Sequence, residues 1–145
     1  MDTLITGPVL GADRDRAVAF LATYGISQSI QPGDHIFVAL AGTEVVGAVR
    51  LAVESGVLVL RGMRVRADVQ RRGIGTRLLG RLDDAVGDMT CWCIPYGWLT
   101  TFYGQIGFRL AAIDEAPDFL AERCRQYREH GLDVTVMVRM SRGHT

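Results

Sequence analysis

The spacing of apolar residues changes just after Arg66, and this change constrains the fold more than any other feature of the chain. Before it, apolar residues alternate in three stretches that begin near Ile36, Val45 and Val57 and are joined by the turns AGTE and ESG, a pattern typical of strands. After it, apolar residues recur at every fourth position over about residues 73 to 86, as on one side of a helix. The sequence therefore predicts a three-stranded antiparallel meander followed by a helix that packs on the sheet.

The segments before and just after this unit add short elements. An N-terminal helix is predicted over ADRDRAVAFLATYG, with Asp13 placed to cap it and Gly25 to end it. TCWCI is predicted to be a short strand, whose pairing stops at Pro95 because proline has no backbone N–H to donate. GWLTTFYGQIGF predicts a second short helix that ends at Gly107. Its apolar side is predicted to carry Trp98, Phe102 and Ile106.

The C-terminal third predicts a strand, a helix and a closing strand. The first strand is expected over Phe108 to Ala111, and VTVMVRM forms the last one. Between them PDFLAERCRQYREHG predicts a helix with Pro117 in its first turn and Gly131 at its end. The order of elements indicates an α+β domain.

Length and composition limit the function. At 145 residues, of which 48% are hydrophobic, the chain is expected to form one domain over residues 1–145. Its formal net charge of zero supplies no global field for nucleic acid or an anionic membrane, and no apolar run is long enough for a membrane span. MDTLITGPVL lacks the basic start and apolar stretch of a signal peptide. We therefore expect a soluble, cytoplasmic protein without nucleic-acid or membrane partners.

The three cysteines are Cys91, Cys93 and Cys124, an odd number that suits a reducing compartment better than a disulfide framework. CWC could supply half of a metal site, but there is no second cysteine pair and the histidines are scattered. We expect buried strand thiols and no metal.

The loop before the helix predicted over about residues 73 to 86 has the features of an anion site. A strand that ends at Val65 or Arg66 is followed by a short loop and a helix that starts near Gly73, which directs free backbone N–H groups and the positive helix end to one point. Gly73 and Gly75 let an oxygen-rich group approach without meeting a Cβ, and nearby arginines supply counter-charge. The segment has no lysine for a P-loop, and Leu78 replaces the third glycine of the dinucleotide fingerprint.

The pattern that fits is Q/R-x-x-G-x-G/A, present as Gln70-Arg71-Arg72-Gly73-Ile74-Gly75 after a strand that ends in MRV. Downstream, FYGQIGF matches F-Y-x-x-x-G-F, a helix that carries a tyrosine followed by a Gly-Phe turn into a strand. Together and in this order the two motifs resemble the GCN5-related N-acetyltransferase (GNAT) superfamily, in which the loop wraps the pyrophosphate of acetyl-coenzyme A. The resemblance covers residues 36 to 111 in element order, and the last strand also fits.

The resemblance implies a fold and an activity. The fold is a single α+β GNAT-like domain with a mostly antiparallel mixed sheet splayed between its fourth and fifth strands, helices on both faces and an extra helix before the last strand. The activity is direct transfer of an acetyl group from acetyl-coenzyme A, the co-substrate, to the primary amine of a small molecule, peptide or protein, without a metal and as a monomer or homodimer. An acyl-coenzyme A sensor of the same fold, without turnover, is the alternative. The cofactor-binding residues it implies are Met63, Val65, Gln70, Arg71, Arg72, Gly73, Ile74, Gly75 and Thr76.

Tyr103 matches the tyrosine that acts as general acid in the family. A phenol can protonate the departing thiolate, although an aromatic residue in that helix can equally be a core side chain. The strand LRGMRV is expected to offer its backbone to the pantetheine arm and one N–H to the thioester carbonyl. Gly62 would permit a bulge that opens this strand from TCWCI, or close packing against a helix.

Three features remain open in the sequence. The general base is unassigned. Glu54 and Asp68 are expected to be solvated surface charges, and Tyr96, His35 and ordered water remain as alternatives. Arg61 is placed by strand alternation on the face of Val59 and Met63, where it either reaches the edge of the core or points into an acceptor cleft. Residues 112 to 131 insert a helix, expected to pack on the surface or, alternatively, to act as a lid over the acceptor pocket.

Overall fold

A computed structural model describes residues 2–5, 9, 11–24, 30–70 and 73–141. Short 3-10 turns lie at Ala67–Val69, Gly97–Leu99 and Ile113–Glu115. The described strands are β1 (Asp2–Ile5), β2 (His35–Ala41), β3 (Glu44–Glu54), β4 (Val57–Val65), β5 (Cys91–Cys93), β6 (Arg109–Ala111) and β7 (Val136–Arg139), and the described α-helices are α1 (Gly11–Ala22), α2 (Ile74–Val86), α3 (Thr100–Gly104) and α4 (Asp118–Glu129).

The strands form one mixed sheet in the order β1-β2-β3-β4-β5-β7-β6. Neighbouring strands run antiparallel except β4 and β5, which pair in parallel over only three positions, from Leu58 opposite Cys91 to Leu60 opposite Cys93. Beyond Leu60 the longer strand β4 continues to Val65 while the chain after β5 reaches Pro95 and turns away. The splay predicted between the fourth and fifth strands is therefore present, and it opens the centre of the sheet.

Helices cover both faces of the sheet. On one face α2 and α3 bury a core that includes Leu60, Leu78, Tyr103 and Met137. On the other face α1 packs over β2 and β3, and α4 packs over Val59 and the final strands. Because α1 and α4 cover different parts of this second face, the middle of β3 and β4 lies between them.

A β-bulge at Gly62 explains both the splay and an error of the sequence analysis. Gly62 has a φ of +58°, and the pairing of β3 with β4 shifts there, since Ala48 lies opposite Arg64 but Arg50 lies opposite Arg61. The extra residue reverses the alternation of side chains. Met63 consequently packs with the α2 and α3 core, whereas Val59 packs beneath α4, so the prediction that Arg61 shares a face with Met63 is wrong.

The predicted helices are present with changes at their ends. α1 begins at Gly11, which places Asp13 in its first turn instead of at the cap, and the predicted stop Gly25 lies outside the described residues. α3 is only five residues long, and Trp98 is not on its buried side because that side chain is 68% exposed. Sequence analysis missed β1, which pairs with β2 at the edge of the sheet.

The described part of the chain contains neither a bilayer-spanning helix nor a metal-binding cluster. No helix there combines the length and the apolar character needed to cross a bilayer. Its histidine, cysteine and acidic side chains form no group of three placed to hold a metal ion. Cys91, Cys93 and Cys124 are free thiols and are buried, as the sequence predicts.

Candidate functional site

The opening between β4 and β5 forms a cleft of about 430 Å³. One wall is β4 from Val59 to Arg64, and the other is the segment from Cys93 to Tyr96 that follows β5. Tyr103 of α3 closes one side, and Arg123 and Tyr127 of α4 close the other. β4 beyond Leu60 pairs with β3 alone among the described strands, so backbone groups on its free edge face the cleft.

The N-terminus of α2 lies directly after the end of β4 and has no side-chain cap. Gly73 occupies the cap position with a left-handed φ of +79°, and the first N–H to bond within the helix is that of Arg77, 3.0 Å from the carbonyl oxygen of Gly73. The N–H groups of Ile74, Gly75 and Thr76 precede this bond and point out of the helix end. A Cβ on Gly73 would meet nothing within 4 Å, so space beside this end is open. The arrangement suits an anion.

The remaining predicted cofactor residues support this loop in different ways. The side-chain amide of Gln70 donates a hydrogen bond to the carbonyl oxygen of Val65, 2.9 Å away, and so ties the loop to the end of β4. The side chain of Ile74 is buried in the core, which leaves only its backbone N–H for a ligand. Thr76 is exposed at the helix end. Arg71 and Arg72 lie outside the described residues.

Gly75 lies where α2 packs against α3 and the end of β4. A Cβ at this position would lie 3.4 Å from the ring of Phe102 and 3.8 Å from the sulfur of Met63. These are ordinary van der Waals distances, so a Cβ would fit against α3 and β4. Met63 and Val65, the two predicted residues at the end of β4, pack partly buried against the same core.

Arg66 is less available to an anion than its position in the sequence suggests. Its guanidinium donates two hydrogen bonds to Asp68, at 2.6 and 2.9 Å, and one to Glu44 at 3.0 Å. These bonds raise the pKa of Arg66 above its ordinary value. Asp68 is largely exposed, as expected.

Tyr103 is both a core side chain and a wall of the cleft. Its ring makes edge-to-face contacts with Phe102 and Phe108, at centroid distances of 5.1 and 6.1 Å, and the residue is only 5% exposed. Burial raises its pKa, the neighbouring Cys93 adds to this effect, and the positive charge of Arg64 opposes it. The phenol is protonated at neutral pH even at its ordinary pKa of about 10, and it lines the cleft, where it can donate a proton.

Glu54 is not the solvated charge that its place beside a hairpin turn suggests. Both of its carboxylate oxygens accept hydrogen bonds from Arg123 of α4, each at 3.0 Å, and one also accepts from Arg61 at 3.1 Å. Burial alone would raise the pKa of this carboxyl, but the Arg123 hydrogen bonds and the charges of the nearby arginines outweigh burial and lower it. A carboxylate held in this way is a poor general base.

The inserted helix combines the two alternatives left open by the sequence. Leu120, Ala121 and Cys124 are buried against the sheet, which is the packing role. Arg123 and Tyr127, on an adjoining side of the same helix, line the cleft. Helix α4 therefore shapes the pocket as well as covering the sheet.

Arg50 and Asp34 form a buried pair at the back of the cleft. Arg50 lies on β3 opposite Arg61 and bonds through one Nη to Asp34 at 3.2 Å. Both residues are nearly inaccessible. Burial and then the positive charge of Arg61 lower the pKa of Arg50, despite the opposing effect of Asp34 and Glu54.

Tyr96 and His35, the other two candidates for the general base, occupy different places. Tyr96 lines the cleft, and its ring stacks on that of Trp98 with centroids 4.5 Å apart. His35 is exposed at the start of β2 and is not part of the cleft wall. Within the described lining there is no aspartate, glutamate or histidine.

Comparison with known proteins agrees with this geometry. A family model described as "Acetyltransferase (GNAT) domain" matches residues 32–110, a segment that contains the meander, the loop, α2 and the FYGQIGF motif. A comparison with curated proteins gave no match.

Solved structures share the fold at low sequence identity. N-acetylglutamate synthase from Neisseria gonorrhoeae, complexed with coenzyme A and N-acetyl-glutamate, superposes with a TM-score of 0.65 at 17% identity over 99% of this chain, which spans only 36% of that protein. A putative N-acetyltransferase from Lactobacillus plantarum gives 0.68 at 18% identity, covering 97% of this chain and 99% of the other. An aminoglycoside 6'-N-acetyltransferase complexed with coenzyme A gives 0.67 at 13% identity, covering 97% and 99%.

Proposed function

The chain belongs to the GNAT acetyltransferase family, and we propose that it transfers an acetyl group from acetyl-coenzyme A to a primary amine. The observation that carries this proposal is the cleft between β4 and β5. It has the uncapped N-terminus of α2 near one end and the phenol of Tyr103 on its wall. Related folds crystallised with coenzyme A support the choice of donor.

The donor is bound by backbone more than by side chains. The N–H groups of Gly73, Ile74, Gly75 and Thr76 meet the pyrophosphate, with the positive helix end behind them. The left-handed Gly73 turns the loop so that these groups point the same way. Gln70 holds the loop against β4 and does not itself need to touch the phosphates. The arginines of the loop assist through their charge.

The pantetheine arm lies along the free edge of β4. This edge offers N–H and C=O groups at Met63 and beyond, so the arm binds as an added strand would. The bulge at Gly62 turns the strand edge and opens the slot. A β4 N–H then donates to the thioester carbonyl oxygen as negative charge develops there.

Tyr103 acts as general acid. In the reaction the acceptor nitrogen forms the new bond to the acetyl carbon and the carbon–sulfur bond breaks, which leaves the electron pair on sulfur. The phenol O–H donates its proton to that thiolate, and the phenolate regains a proton through solvent when the acylated nitrogen loses its extra proton.

No protein group is assigned as general base. Glu54 is engaged by two arginines, and Tyr96 is stacked on Trp98. We propose that water accepts the proton of the acceptor ammonium. The cleft is open to solvent on the side of α4, where Arg61 and Arg123 keep about a fifth of their side-chain surface exposed.

A sensor without turnover is the alternative function. A sensor requires no acceptor space, whereas the cleft continues past the end of β5 to α4, and this favours an enzyme.

Free buried cysteines favour the reducing environment of the cytoplasm.

Calorimetry with coenzyme A and a screen of amines for acetyl-coenzyme A-dependent acetylation test the proposal together. We expect binding with 1:1 stoichiometry and acetylation of at least one amine. The absence of coenzyme A binding to the folded protein would overturn the proposal. Binding without acetylation of any amine would favour the sensor.

A further inference from the structure

The charges of the cleft are strongly one-sided. Four of its lining residues are arginines, and the part of the lining that the structure describes contains no carboxylate. The arginines come from three elements, with Arg50 on β3, Arg61 and Arg64 on β4, and Arg123 on α4. A wall of this kind favours a ligand that carries negative charge.

The arginines on the α4 side do not serve the phosphates of the donor. Arg61 lies near the middle of β4 and contacts Glu54 and Tyr127, which places it on the sheet face covered by α1 and α4. The loop to α2 begins only after Val65, and α2 covers the opposite face. A negative group held by Arg61 therefore belongs to the acceptor and not to the pyrophosphate.

Glu54 organises these arginines without neutralising them. Its carboxylate accepts two hydrogen bonds from the guanidinium of Arg123 and one from the guanidinium of Arg61. One negative charge thus faces two positive ones. The second Nη of Arg61 lies 3.5 Å from the Tyr127 hydroxyl oxygen, which is a weak contact. Arg61 lines the cleft and therefore retains N–H donors for a ligand.

Resting on the function proposed above, we infer that the acceptor is a small amine that carries a carboxylate, of the amino-acid type, and that Arg61 and Arg123 with the Tyr127 hydroxyl bind this carboxylate. A guanidinium matches a carboxylate in shape and charge. The small size of the acceptor follows from the cleft, whose volume of about 430 Å³ lies at the low end for ligand pockets and must also hold the end of the pantetheine arm.

This binding mode also orients the reaction. The carboxylate is fixed on the α4 side of the cleft, whereas Tyr103 and the free edge of β4 lie on the α3 side. The amine is thereby presented to the thioester from the side opposite the donor phosphates. Arg61 and Arg123 are specificity-determining residues in this scheme and take no part in proton transfer.

The test compares each amino acid with its own carboxamide, which keeps the amine and removes the negative charge. We expect kcat/KM to favour the acids by about 10- to 100-fold, the range for hydrogen bonds to a charged group. A peptide with an N-terminal glutamate is the third probe. Acceptance of this peptide in preference to every free amino acid would overturn the inference of a small acceptor.

Variants of the cleft arginines test which residues produce the preference for acids over amides. Arg61→Gln and Arg123→Gln should each lower the ratio of kcat/KM for the acids to that for the amides, by raising KM for the acids more than KM for the amides, and Arg61→Lys should restore part of it. Arg109→Gln removes an equally charged side chain that pairs with Glu115 on the surface and should behave as the unmodified protein. Unchanged coenzyme A affinity in each variant verifies folding. A preference that persists in both Gln variants would overturn the assignment.

The outcomes for the two proposals are distinct. If the unmodified protein does not bind coenzyme A, the transferase function is refuted, and the inference about its acceptor falls with it. If coenzyme A binds but the acids are no better than the amides, either as substrates or as ligands of the coenzyme A-saturated protein, the acidic acceptor is refuted and the transferase stands.

Discussion

Arg123 on the inserted helix α4 forms a two-pronged ion pair with Glu54 at the end of β3, and each N–O distance is 3.0 Å. The partners are 69 residues apart in the chain, and neither is more than about a quarter exposed. Glu54 also bonds Arg61 in the middle of β4. The carboxylate therefore joins the helix that shapes the cleft to the strand that forms its wall.

Replacing Glu54 by Gln is expected to destabilise the fold by about 1–2 kcal/mol, because it leaves two partly buried guanidiniums without their counter-charge. The pKa of Glu54 is lowered in the folded state, so its stabilising effect is complete above the ordinary value of 4.5 and is lost as the pH falls through the lower folded value. Urea unfolding should therefore show a deficit for the variant at pH 7 that shrinks at pH 3.

Glu115 provides the matched control for this prediction. It pairs with Arg109 through a single bond between two exposed side chains, and pairs of this kind contribute little. Glu115→Gln should leave the urea midpoint at pH 7 almost unchanged. An equal loss in the two variants, or a Glu54→Gln deficit that does not depend on pH, would contradict the structural role of Glu54.

Local signals predicted most of the fold. The change from alternating to helical spacing after Arg66 depends only on neighbours in the chain, and it correctly predicted the meander and α2. Gly73 of the glycine motif has a left-handed φ that residues with a side chain rarely adopt, so this turn too is specified locally. A helix or strand is best predicted from sequence when the local spacing of its apolar residues agrees with the side chains that the fold buries.

The parts that could not be predicted depend on tertiary structure. The sequence identifies Gly62 as a residue that permits a bulge, but alternation alone does not show that the extra residue moves Met63 to the opposite face. β1 is a four-residue edge strand, too short for a clear periodic signal. Glu54 meets Arg123 only because α4 folds over the sheet, so both residues look like ordinary surface charges in the sequence.

Replacing Gly73 by Ala should weaken coenzyme A binding about tenfold or more, equivalent to about 1.4 kcal/mol. The φ of +79° is unfavourable for alanine by about 1–2 kcal/mol, so the loop shifts and its N–H groups lose their common direction. Calorimetry measures the effect. Gly80→Ala, on an exposed position of the same helix with open space around its Cβ, should leave binding unchanged, and an equal effect of both would contradict the loop's role.

The three cysteine thiols should be unreactive in the folded protein. Burial raises the pKa of Cys91 to about 12 and raises that of Cys93 well above its ordinary value, so neither is a thiolate at pH 8. Labelling with a disulfide reagent should be slow in buffer and should reach three thiols in denaturant. Unfolding restores the ordinary pKa of 9.0, so stability should fall as the pH rises above 9. Rapid labelling of the native protein would contradict this prediction.

Replacing Tyr103 by Phe should lower kcat by about 100-fold or more, the lower range for general acid catalysis, with little change in KM for acetyl-coenzyme A. The aromatic contacts with Phe102 and Phe108 survive the change, so stability should be maintained. Because the pKa of Tyr103 is raised above 10.0, kcat of the unmodified enzyme should not decline between pH 8 and 10. Tyr24→Phe, outside the cleft lining, is the control. A full kcat in Tyr103→Phe would mean that the thiolate leaves without a proton from this side chain.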